Sequence, residues 1–122
     1  MSNPIALRHL EVYGYFRKNL GPRSQSAGLR MQFSDNRTTP NVHFKVAVSE
    51  EYKGAIVKGI KDGMSLRFPD FLETGSVWIT EATEHPVDSS CWAFYWAARC
   101  AIESAYTLSQ VKYDESLLVN KA

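Results

Sequence analysis

The sequence has little cysteine, few histidines and no long apolar run. Its two cysteines, Cys91 and Cys100, are nine residues apart in a stretch that reads as one helix. They would then sit about 13 Å apart on opposite faces, too far for a disulfide. The reading for both is a small buried or half-buried hydrophobe. The three histidines, His9, His43 and His85, are isolated from one another. None stands with Cys, Asp or Glu at metal-ligand spacing, so no metal is expected. There is no phosphate-binding loop and no dinucleotide fingerprint, so no cofactor is expected. No constellation supports a reaction, and the reading is non-enzymatic. No segment approaches the ~20 apolar residues that span a bilayer. Met1 to Ile5 lacks the basic segment and apolar core of a signal peptide. The expected compartment is the cytoplasm, with no membrane partner.

What is present is an ordinary globular composition. Of 122 residues, 44% are hydrophobic and 22% charged, enough for one folded domain without staples. The net charge of +1 hides an asymmetry. Residues 1–61 carry ten Lys/Arg against four Asp/Glu, whereas residues 62–122 carry four against nine. A basic half points to a polyanionic partner; two complementary solvated faces would give the same count.

Periodicity supplies the elements. Residues 5–18 read as extended, with Leu10, Val12, Gly14 and Phe16 alternating against Glu11, Tyr13, Tyr15 and Arg17. Residues 29–34 and 41–48 repeat the alternation, and together the three predict an antiparallel meander. Ser49 is a candidate N-cap before Glu50 and Glu51. Tyr52, Ala55, Ile56, Gly59 and Ile60 follow helical spacing, and Gly63 is the candidate C-cap. Residues 64–75 read as a loop and 76–83 as a fourth strand. A second helix, capped by Asp88 or Ser89, runs to about Tyr106 on an Ala93, Ala97, Ala101, Ala105 stripe. It is apolar nearly all round and is expected to be the central buried helix. The order β-β-β-α-β-α predicts an α+β two-layer sandwich, a four-stranded sheet with two helices on one face.

The segment His85-Pro86-Val87-Asp88-Ser89-Ser90, followed by Ala93-Phe94, Ala97, Ala101-Ile102 and Ala105, resembles domain IV of translation elongation factor G. That family reads H-x-V-D-S-S-x-x-A-F at this place. Glu51-Tyr52, Ala55 and Lys58-Gly59-Ile60 resemble its P-K-E-Y-I-P-A-V-x-K-G-I helix, and Val12, Gly14 and Phe16 its V-x-G-x-F first strand. The resemblance divides the chain into a domain IV-like domain, 1–106, and a C-terminal tail, 107–122. It implies the fold named after the second domain of ribosomal protein S-five. It also implies a loop tip touching RNA on the small ribosomal subunit.

His85 carries over directly, in the loop Thr83-Glu84-His85-Pro86. The other tip loop corresponds to about Asn19 to Gly28, where the family's G-G-x-G-x-Y-G is replaced by Asn-Leu-Gly-Pro-Arg-Ser-Gln-Ser-Ala-Gly. The RNA-binding candidates are Arg17, Lys18, Arg23, Gln25, Glu84 and His85, the basic ones neutralising phosphate. These 122 residues hold no GTPase segment, so neither GTP binding nor the family's translocation carries over. An alternative is the wet sheet face: Tyr13, Tyr15, Arg30, Gln32, His43 and Lys45. Aromatic and basic groups so interleaved suit a stacking platform, a protein-docking face or self-association.

Overall fold

A computed structural model of the chain describes residues 7–20, 23–84 and 89–110. After a 3-10 turn at Leu7–His9 come β1 (Glu11–Leu20), β2 (Arg23–Ser34), β3 (Val42–Phe44) and α1 (Glu50–Arg67). They are followed by a four-residue helix α2 (Phe71–Thr74), β4 (Ser76–Thr83) and α3 (Cys91–Gln110). The predicted β-β-β-α-β-α order stands, with α2 added. The result is an α+β two-layer sandwich, a four-stranded mixed sheet with α1 and α3 on one face.

The strand pairing differs from a meander. The sheet order is β1-β2-β4-β3. β1 and β2 form a long antiparallel hairpin, β2 pairs antiparallel with β4, and β3 runs parallel to β4. The physical reason is that α1 connects β3 to β4 as a crossover, which a parallel neighbour requires. Alternation cannot report which strands are neighbours. Residues 41–48 shrink to a three-residue strand. Residues 19–20 and 23–28, expected as a loop, instead continue the β1–β2 ladder from Leu20↔Arg23 to Tyr15↔Gly28.

The core forms where the predicted apolar faces meet. Val12, Leu29, Met31, Phe33, Val77 and Ile79 project from the sheet, all buried. Ile56, Ile60 and Met64 face them from α1, and Phe94, Ala97, Ala101 and Ile102 from α3. Gly63 does not end α1, which continues to Arg67. It is a buried contact, where an added Cβ would stand 3.0 Å from Ile102 side-chain atoms. Gly59 does the same one turn earlier, 2.5 Å from the Tyr95 carbonyl oxygen.

The two helices run parallel and close. Tyr52 meets Phe94 at their N-terminal ends, and Phe68, just beyond α1, meets Tyr106. α3 is not buried all round: Trp92 and Trp96 are exposed on its outer side. It also runs past the expected domain end at residue 106, through Gln110. Of the expected tail, residues 111–122 lie outside the described residues.

Candidate functional site

The parallel helices bring their N-terminal ends to one end of the molecule. The far end of the β1–β2 hairpin arrives at the same place. The Ser89 hydroxyl donates to the Ser26 carbonyl oxygen at 2.9 Å. The Ser90 hydroxyl donates to the Gln25 side-chain carbonyl, and the Ser90 oxygen accepts the Ala93 N–H at 3.0 Å. Ser90, one residue beyond the expected Ser89, thus caps α3 while tethering the hairpin. Asp88, the other expected cap, lies outside the described residues. Tyr52 closes the other side by donating to the Ser89 carbonyl at 3.3 Å, and burial pushes its hydroxyl pKa up. Hairpin and α3 start, separate in sequence, therefore form one surface.

The predicted tip residues divide within that surface. Lys18 and Gln25 are directly paired across the hairpin. Lys18 lies on the helix side, its ammonium 5.6 Å from the Trp92 ring centre. Arg17 is exposed and, one residue away along the strand, points to the opposite side of the sheet. Strand alternation thus sets these two cations on opposite sides of the hairpin. Arg23 begins β2, opposite Leu20. His85 lies outside the described residues.

Glu84 is tied to the start of α1. Its carboxylate accepts the Ser49 backbone N–H at 3.1 Å and the Ser49 hydroxyl at 2.9 Å. Ser49 makes no side-chain cap bond to its own helix. The carboxylate sits where the positive end of the α1 dipole favours negative charge. Glu84 is a helix anchor in this structure.

The alternative set is gathered more completely. Tyr13, Tyr15, Arg30, Gln32, His43 and Lys45 all fall on the face away from the helices. The Tyr13 and Tyr15 rings stack with centres 6.4 Å apart, and Arg30 lies over Tyr13 at 5.3 Å. Tyr13 crosses Gly28, where an added Cβ would collide with its hydroxyl. Arg30 bonds Glu81 at 2.9 Å and Glu11 at 3.5 Å, and Gln32 also donates to Glu11. The Glu81 bond raises the Arg30 pKa further above its ordinary range. His43 stacks on Trp78 at 4.3 Å and hydrogen-bonds Thr38, while Lys45 covers Trp78 at 4.9 Å. Trp78, Glu11 and Glu81 are members that sequence reasoning missed. The alternation within 76–83 would have found Trp78, but the β4–β2 pairing that supplies Glu81 is a tertiary fact.

Among the described residues, no group of three or more His, Cys, Asp or Glu is placed to hold a metal ion. None of the described helices is long and apolar enough to cross a membrane.

No family model and no curated protein matches the chain. Among solved structures, a crystal structure of a protein from Thermus thermophilus is similar, with a TM-score of 0.59 and 22% identity. The match covers 81% of this chain but only 16% of that one, and at this identity it shows the shared α+β fold alone.

Proposed function

We propose that this chain is a non-enzymatic RNA-binding module of the elongation factor G domain IV kind, acting in translation. It docks on the small ribosomal subunit, in the cytoplasm, through the end where the β1–β2 hairpin meets the start of α3. One observation carries the reading: Gln25 and Ser26 are hydrogen-bonded to Ser90 and Ser89. The basic hairpin, with Arg17, Lys18 and Arg23, is thereby tied to the helix that follows His85. The basic residues neutralise phosphates, and His85 stacks or hydrogen-bonds at an unpaired base. Neither GTP nor another cofactor enters this reading.

The test is co-sedimentation of the purified chain with small ribosomal subunits at about 50 and 200 mM salt. Binding should fall steeply across that range. Arg17→Ala with Lys18→Ala should flatten the salt slope by about two, roughly one per lost phosphate contact. His85→Ala with Arg23→Ala should weaken binding further. No binding at the lower salt overturns the reading.

A second reading rests on the stacked Tyr13–Tyr15 and His43–Trp78 pairs, which form an aromatic and charged outer face suited to a protein partner. Retention that is insensitive to salt but lost in Tyr13→Ala with Tyr15→Ala would favour it.

A further inference from the structure

β1 is the terminal strand of the sheet, and among the described residues no strand pairs with its outer edge. Natural proteins blunt such edges with short strands, prolines or bulges. β1 has ten residues, no proline and an unbroken register against β2. Its charged residues are Glu11 at one end and Arg17 and Lys18 toward the other.

Both walls beside this edge are aromatic. On the outer face stand Tyr13 and Tyr15, 39% and 45% exposed. On the helix side stands Trp92, 43% exposed. It meets Phe16 of β1 edge to face at 5.2 Å, and the Lys18 ammonium of β1 lies 5.6 Å from its ring centre, which places it over this strand. Trp96, one helical turn later, packs instead on Tyr95 and Arg99 of its own helix. A strand added outside β1 would send alternate side chains toward Trp92 and toward the tyrosines.

We propose that the β1 edge binds an extended peptide segment of a partner protein by strand addition. The segment alternates apolar residues and carries acidic residues at the end beside Arg17 and Lys18. Main-chain hydrogen bonds supply affinity, and the tryptophan shelf supplies side-chain selection. A second copy of this chain fits poorly in the antiparallel arrangement. α3 lies directly on β1, since a Cβ at Gly14 would stand 2.7 Å from that of Ala101. Two adjoining β1 strands would hold two α3 helices about 5 Å apart, where packed helices require roughly 8–10 Å. An extended peptide brings no helix and meets no such clash. This inference does not rest on the RNA reading, although both use Arg17 and Lys18.

The probe is a phage-displayed library of random decapeptides, selected on the purified full chain. Recovered peptides should alternate apolar residues and end in acidic ones. A synthetic copy of the strongest binder should slow amide hydrogen exchange at every second residue of Glu11–Leu20. Trp92→Ala should weaken that binder at least tenfold. So should Arg17→Glu with Lys18→Glu, which leaves the aromatic walls in place. The proposal is overturned if no peptide is recovered, or if binders lack alternation or protect other segments. It is also overturned if neither variant weakens binding. Slow exchange along the outer edge of β1 in the free chain overturns it too, because the chain's own residues or a second copy then occupies the edge.

Discussion

Gly14 lies against Ala101 so closely that a Cβ on the glycine would stand 2.7 Å from the alanine Cβ and would overlap the Ala97 carbonyl oxygen. The contact joins β1 to the middle of α3 through backbone on both sides. The alanine stripe of α3 and this one glycine are two halves of a single feature. It sets how near the helix layer comes to the edge of the sheet, and so how Trp92 meets Phe16 there.

Gly14→Ala should therefore destabilise the fold. Overpacking against side chains costs about 1–3 kcal/mol, and a backbone neighbour gives less ground than a side chain. A cost at the upper end of that range is expected. Urea unfolding at neutral pH measures it, and an unchanged midpoint would contradict the close packing.

Glu84→Ala should loosen the start of α1. Its two bonds to Ser49 act as the cap that Ser49 does not itself make. Loss of a helix cap costs about 1 kcal/mol. Hydrogen exchange should quicken in the first turn, at Glu50 to Lys53, and stay unchanged in the middle of α3. The same variant should not weaken ribosome co-sedimentation.

Acid should weaken the contact between the ends of α1 and α3. Arg67 Nε holds both oxygens of Glu103, at 3.1 and 2.9 Å, and this bonding keeps the Glu103 carboxyl below its ordinary range. A depressed carboxyl contributes stability that is fully present above its unfolded value, about pH 4–5. That stability is lost as the pH falls further through the folded value. Glu103→Gln should destabilise the chain at pH 7 and show a smaller loss than the parent between pH 5 and pH 3. Denaturant midpoints across that range check the sign.

The two thiols should differ in reactivity. Cys91 is exposed and donates to the Glu51 carbonyl oxygen at 3.0 Å, whereas burial pushes the Cys100 thiol pKa up. Maleimide at pH 8 should label Cys91 first, because the thiolate is the reactive form and must be reached. Peptide mapping of the singly labelled chain reads the order. First labelling at Cys100 would contradict it.

Much of the candidate site was legible residue by residue. Alternation in 10–17 placed Tyr13 and Tyr15 on one side and Val12, Gly14 and Phe16 on the other, because successive side chains of a strand must point apart. The same rule, applied one residue further, separates Arg17 from Lys18. The hairpin escaped because Asn19 to Gly28, with its glycines, serines and proline, has turn composition. Its pairing comes instead from a partner strand and from Ser89 and Ser90. The length of α1 escaped for a related reason: Gly63 reads as a helix end, yet it is the place where α3 needs room.

Local pattern was enough for the element types, their order and the two layers, since these follow from periodicities of two and 3.6 and from the apolar faces they create. Long-range packing was needed to put β3 beside β4, to bring Glu84 to the start of α1, and to set Glu81 beside Arg30. The contact of Trp92 with Phe16 at the β1 edge has the same origin. Each of these depends on which residues distant in the chain become neighbours. That is settled by the α1 crossover, by strand pairing and by how closely Gly14, Gly59 and Gly63 let α3 approach, none of which a local pattern encodes.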